Sequence, residues 1–201
     1  MRYLWVDSGN DPDLAKAVKH SIDGLFWDMF DPRLDEAYLQ KYLLTGYRVG
    51  VYMASNWGQF KDLAPSQVAN LVYTRVKKIA GKSFGPDFPK VQFDMEEHDP
   101  IKILNTLKEW RRLAPKHSTS WTLESFQGGW MSDEFVKAIL GLKIRVVPQA
   151  YTGDMQDFAE DQVLRDLLRR GFPEASISLF YDAADVPLGW NGFAFTQGRL
   201  P

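Results

Sequence analysis

The segment Lys90-Val91-Gln92-Phe93-Asp94-Met95-Glu96-Glu97-His98-Asp99-Pro100 joins a strand-like alternation to two carboxylates at positions i and i+2. On a β-strand alternate side chains share a face, so Gln92, Asp94 and Glu96 point one way and Val91, Phe93 and Met95 the other. A row of polar groups on a buried face is unfavourable unless water, ligand or hydrogen bonds satisfy it. The Asp94–Glu96 pair is therefore a candidate site, and Asp99 before Pro100 already supplies a helix cap. Carboxylates spaced this way on one strand have Cα atoms about 6.5–7 Å apart. Paired carboxylates suit glycosidic chemistry, in which one group donates a proton and the other stabilises positive charge at the anomeric carbon. Glu96 is the natural acid, its pKa raised by Asp94 and by partial burial, while Asp94 stays ionised or orients a substrate acetamido group.

Other strand-like segments repeat the pattern. Tyr3, Trp5 and Asp7 share a face, as do Ser120, Thr122 and Glu124, then Arg145, Val147 and Gln149, and Ser178, Phe180 and Asp182. Asp7, Glu124 and Asp182 are accordingly candidates for a second catalytic carboxylate. Asn56, Gln149 and Gln197, each at or just beyond a strand end, could take sugar hydroxyls, and Trp5, Trp27, Tyr52, Trp57 and Tyr151 could stack on sugar rings. Trp121, Trp130, Tyr181 and Trp190 occupy similar positions, and some of these aromatics must serve the core instead. Asp11, Asp28, Asp31 and Asp99 read as helix caps.

The elements that must position these groups alternate regularly. Strands are predicted at Tyr3–Asp7, Leu25–Met29, Val49–Ala54, Val91–Glu96, Ser120–Glu124, Ile144–Gln149, Ser176–Asp182 and Gly192–Gln197. Helices are predicted at Asp13–His20, Leu34–Leu44, Ser66–Ala80, Ile101–Leu113, Asp133–Leu140 and Asp157–Arg170. Asp-Pro pairs at 11–12, 31–32 and 99–100 mark helix starts, and Gly24, Gly46, Gly81, Gly141 and Gly171 mark helix ends. Repeated βα units imply a parallel sheet. About eight such units with polar inward rows favour an α/β fold of the (β/α)₈ TIM-barrel type, with residues 1–201 as one domain. The strand C-ends would then converge on one rim, where such barrels place their active sites.

Composition removes several classes. With 45% hydrophobic and 14% aromatic residues in 201, the chain can bury a core. A net charge of −2 gives no electrostatic case for nucleic acid. No apolar run is long enough for membrane insertion, and no secretory signal is expected from the N-terminal residues. Zero cysteines exclude disulfides and thiolate chemistry. Asp7-Ser8-Gly9-Asn10 is not a dinucleotide fingerprint, and no G-x-S-x-G elbow or P-loop occurs. His20, His98 and His117 lack metal-ligand spacing, so neither metal nor cofactor is expected.

Several segments together resemble minor tail proteins of actinobacteriophages. They are Leu4-Trp5-Val6-Asp7-Ser8-Gly9, Val49-Gly50-Val51-Tyr52, Phe93-Asp94-Met95-Glu96 and Gln127-Gly128-Gly129-Trp130-Met131, with Val147-Pro148-Gln149-Ala150-Tyr151-Thr152-Gly153-Asp154-Met155 and Phe195-Thr196-Gln197-Gly198-Arg199-Leu200-Pro201. The resemblance implies a glycoside-hydrolase-like barrel made in the host cytoplasm and carried in the phage tail. Its implied partners are host cell-envelope glycan and other tail proteins. More distantly, Asp7 and the Asp94-x-Glu96 pair resemble the lysozyme-type barrels of glycoside hydrolase family 25, which implies Glu96 as proton donor. That family's late aspartate has no counterpart among residues 197–201. Glycan binding with cleavage, binding alone, and a purely structural tail subunit with a vestigial mouth all fit these residues.

Overall fold

Alternation along β4 (Lys90–Asp94) governs the architecture: Val91 and Phe93 pack into the large apolar cluster under the helices, while Gln92 and Asp94 are buried on the opposite face. This is a computed structural model describing residues 2–6, 9–12, 14–53, 60–95, 97–123, 132–148, 160–173, 179–181 and 192–194. The other strands are β1 (Arg2–Val6), β2 (Gly24–Asp28), β3 (Arg48–Met53), β5 (Thr119–Leu123), β6 (Arg145–Pro148), β7 (Leu179–Tyr181) and β8 (Gly192–Ala194). The helices are α1 (Leu14–Lys19), α2 (Glu36–Leu44), α3 (Pro65–Ala80), α4 (Pro100–Leu113), α5 (Asp133–Gly141) and α6 (Glu160–Arg169). Each predicted strand and helix has its counterpart among the described residues, and the predicted ends at residues 7, 13, 54, 96, 124, 149, 157, 176, 182 and 197 lie outside them.

All seven described strand pairings are parallel, in the order β6-β5-β4-β3-β2-β1-β8-β7. The chain is thus an α/β fold with one parallel sheet. The sheet curls strongly. Trp5 on β1 donates to Gln92 on β4, 3.1 Å away, although three strand spacings in a flat sheet would be about 14 Å. Val147 on β6 likewise belongs to one inner cluster with Tyr3, Trp5, Phe26 and Tyr52.

The outer face forms the main core. Leu25, Trp27, Val49, Val51, Phe93 and Trp121 meet Leu39, Tyr42, Val72, Val76, Leu107 and Ile139 from the helices. Helix starts follow local chemistry. Asp99 Oδ1 accepts from Ile101 N at 2.9 Å, Ser132 Oγ from Phe135 N at 3.2 Å, and Gln67 Oε1 from Ala64 N at 2.8 Å. The expected cap at Asp31 is corrected. Asp35 caps α2 through Tyr38 N, while Asp31 accepts from Arg33 N in the turn before that helix.

Two glycines make the inner face possible. Phe26 pairs in register with Gly50, and a Cβ there would meet the Phe26 ring at 2.5–2.6 Å. A Cβ on Gly24 would meet Tyr3 Cδ1 at 2.6 Å and the Arg48 carbonyl oxygen at 2.9 Å. We expect Gly50→Ala to lower the free energy of unfolding by about 1–3 kcal/mol, the usual range for overpacking. Urea denaturation of the variant beside the wild type checks this, and an unchanged midpoint would show that Phe26 has room to yield.

Candidate functional site

β4 brings Asp94 to the C-terminal end of the inner face, where it is 4% exposed and pairs in register with Thr122 of β5. Gln92, one step deeper, is fully buried and joins three strands. Its Oε1 accepts from Trp5 Nε1, and its Nε2 donates to Thr122 Oγ1 at 2.9 Å. An amide suits this place because it accepts on one side and donates on the other, as no carboxylate could. Beneath the rim, Trp5 and Tyr52 stack with centroids 4.1 Å apart and planes 8° from parallel. Asp94 lies one inward step beyond Gln92, at the end of the same buried row.

The neighbouring rim is held by Asp31, whose side chain is wholly buried. It accepts from Gly9 N at 3.0 Å, from Arg33 N at 2.9 Å and from Arg33 Nη2 at 2.7 Å, joining the β1–α1 connection to the β2–α2 connection. The Arg33 side-chain hydrogen bonds hold the Asp31 carboxyl down at about 2. Arg75 of α3 braces the same connection, donating to the carbonyl oxygens of Met29 at 2.6 Å and Asp31 at 3.0 Å. Asp28 closes β2 on the face that carries Phe26. It accepts from Phe30 N at 2.9 Å, and burial pushes its carboxyl pKa up, with Asp31 adding to the rise. Its assignment as a helix cap is thus corrected: it is a partly buried carboxylate on the rim. The alternation that makes Asp94 inward-facing could have found it.

The structure brings Trp5, Tyr52 and Asp94 together on the inner face. Trp5 and Tyr52, expected to stack on sugar, are 5% and 8% exposed, and each covers a face of the other. Their observed role is to fill the interior under the rim. Trp27 is a clear correction. It is 0% exposed on the outer face, against Tyr38 and Tyr42, because its place on β2 has the opposite parity to Phe26 and Asp28. Asp7, Asn56, Trp57, Glu96, Glu124, Gln149, Tyr151, Asp182 and Gln197 lie outside the described residues. Gln92 and Thr122 appear in the sequence only as members of polar rows, and their pairing across strands emerges from the fold. Among the described residues no group of three or more metal-ligating side chains converges, and no helix is long and apolar enough to cross a membrane.

No protein-family model and no curated protein sequence matches this chain. Solved structures do. The catalytic domain of a hyperthermophilic chitinase from Pyrococcus furiosus aligns with a TM-score of 0.64 and 14% identity, over 96% of this chain and 83% of that one. The ICChI chitinase from Ipomoea carnea aligns with a TM-score of 0.55 and 10% identity, over 99% and 95%. A protein described as a fructose-1,6-biphosphate aldolase from Coccidioides immitis aligns with a TM-score of 0.57 and 11% identity, over 98% and 73%. The chain therefore has TIM-barrel neighbours, glycoside hydrolases among them. At these identities the likeness establishes the fold, and two different chemistries share it.

Two measurements test the rim. Because Asp31 has a depressed folded-state pKa, its contribution is present above the unfolded value near 3.8 and is lost as pH falls toward about 2. The stability difference between wild type and Asp31→Asn should therefore shrink by about 2 kcal/mol between pH 4 and pH 2. A pH-independent difference would mean the ion pair contributes nothing. Asp28 has the opposite sign, since its charged form is disfavoured by burial. Asp28→Asn should raise the melting temperature at pH 7, and the gain should vanish below the carboxylate range.

Proposed function

We propose that this chain is a glycosidase-type (β/α)₈ barrel that binds glycan at its C-terminal rim, with Asp94 and Glu96 as the acid pair that cleaves the glycosidic bond. The carrying observation is Asp94 itself: a carboxylate 4% exposed, on the inner face at the end of β4, above the Trp5–Gln92–Thr122 hydrogen bonds. Closure of the sheet between β6 and β7 belongs to the same proposal. It is supported by Cα atoms of these two strands lying within 8 Å of each other and by the chitinase likeness over 96% of the chain. Solved forms of the Pyrococcus furiosus chitinase include one complexed with chito-oligosaccharides, which makes β-linked amino sugars the first substrates to try.

The chemistry would run as follows. Glu96, two residues beyond Asp94, protonates the glycosidic oxygen as the bond to the anomeric carbon breaks, and water then adds to that carbon and gives its proton to the Glu96 carboxylate. Asp94, backed by the buried amide of Gln92, holds negative charge beside the oxocarbenium-like centre or orients an acetamido group. Asp28 adds a second carboxylate on the β2 side of the rim. The similarity of several sequence segments to actinobacteriophage minor tail proteins supports a setting for this activity. In it the barrel is a virion component facing host cell-envelope glycan, with other tail proteins as its neighbours.

The test is incubation of the wild type and Glu96→Gln with chito-oligosaccharides and bacterial cell-envelope polysaccharides, scoring new reducing ends and bound glycan. The wild type should release reducing ends, and Glu96→Gln should be slower by at least about a hundredfold with its melting temperature unchanged. Binding without release in the wild type would replace the hydrolase with an adhesin. Neither binding nor release would leave a structural tail subunit.

A further inference from the structure

The opposite, N-terminal end of the sheet gathers positive charge around a cavity that glycan chemistry at the rim leaves unused. Arg48, Lys90 and Arg145 are the first residues of β3, β4 and β6. With Ser118, Ser120 and the rings of Tyr3 and Phe26 they line a cavity of about 90 Å³. Tyr3 and Phe26 meet edge to face, 5.5 Å between centroids, and roof it toward the interior. Lys90 is half-buried and donates from Nζ to Ser118 Oγ at 2.9 Å. Burial, Arg48 and Arg145 together push its ammonium pKa down, while Asp87 works the other way.

A larger groove of about 900 Å³ adjoins this cavity, sharing Ser118, Thr119 and Arg145 and adding Lys116, Lys143 and Arg111. Asp87 is the one carboxylate among the described residues lining either space. Arg111 is anchored on carbonyl oxygens, those of His117 at 2.6 Å, Leu142 at 2.8 Å and Lys143 at 2.9 Å. Like charges that converge on a partly desolvated space repel one another, and an anion bound between them lowers that cost. A chain of net charge −2 has no general excess of cations to explain it.

We propose that this end is a binding site for a phosphate group. The small cavity, at about 90 Å³, is of a size to take a tetrahedral oxyanion. Lys90, Arg48 and Arg145 supply charge, and the Ser118 and Ser120 hydroxyls supply further donors. The adjoining groove, with Lys116 and Lys143 on its wall, holds whatever the phosphate is attached to.

Calorimetric titration of the full chain with inorganic phosphate, glucose 6-phosphate and glucose, at ionic strength fixed with sodium chloride, tests this. Both phosphates should bind saturably and glucose should not. Lys90→Met, which keeps the aliphatic stem, should weaken phosphate binding at least tenfold. Arg48→Gln, at an exposed position, should weaken it severalfold and serves as the decisive variant if Lys90→Met fails to fold. Tighter binding of glucose 6-phosphate than of phosphate, lost in Lys116→Ala, assigns the attached group to the groove. Equal affinities remove the groove from the proposal and leave the cavity. A response that sodium chloride reproduces, or one unchanged in the folded variants, overturns it.

Discussion

Phe26 lies across Gly50 and Tyr3 across Gly24, and the inner face of this sheet is organised around those two close approaches. A parallel sheet that curls so far that β1 reaches β4 leaves little volume inside. Large rings can occupy it only where a neighbouring strand offers no side chain. Once they do, the space next to them is left for Trp5, Tyr52 and Val147, and for a short polar row from β4 and β5. Gln92 fits that row because one amide satisfies an indole donor on one side and a threonine hydroxyl on the other. Asp94 follows at the end of the same row, buried and in register with Thr122.

Parallel pairing also sorts charge. Every strand begins at one end of the sheet and finishes at the other, so residues at equivalent strand positions add up across the molecule. Strand starts contribute Arg48, Lys90 and Arg145, and strand ends contribute Asp28 and Asp94. The connection after β2 adds Asp31, neutralised by Arg33. Asp28 and Asp94 are thereby separated from Arg48, Lys90 and Arg145 by the length of the strands.

The scaffold itself is indifferent to the reaction. Chitinases from an archaeon and a plant and an aldolase-type protein from a fungus share the architecture at 10–14% identity. What distinguishes this chain is the content of its rim and interior. Outward residues such as Val91, Phe93 and Trp121 serve helix packing common to any such sheet. Gln92, Thr122 and Asp94 are buried away from that packing, and Asp28 closes β2 on the inner face.

The order of elements and the two faces of each strand are legible in the sequence, because periods of 2 and 3.6 are local properties of the backbone. The inward direction of Gln92 and Asp94 follows from that parity alone, and the cap at Asp99 follows from its place before Pro100. The same parity places Trp27 outward, but aromatic content alone suggested sugar stacking there. Tertiary structure decided what depends on segments distant in sequence: that Trp5 and Tyr52 stack on each other, that Gln92 joins β1 to β5, and that Asp31 accepts from Gly9 N. It also decided that Arg48, Lys90 and Arg145, each unremarkable at the start of its own strand, share one cavity. The physical reason is the same in each case. A local pattern fixes which way a side chain points, and only the curl of the sheet fixes what it meets there.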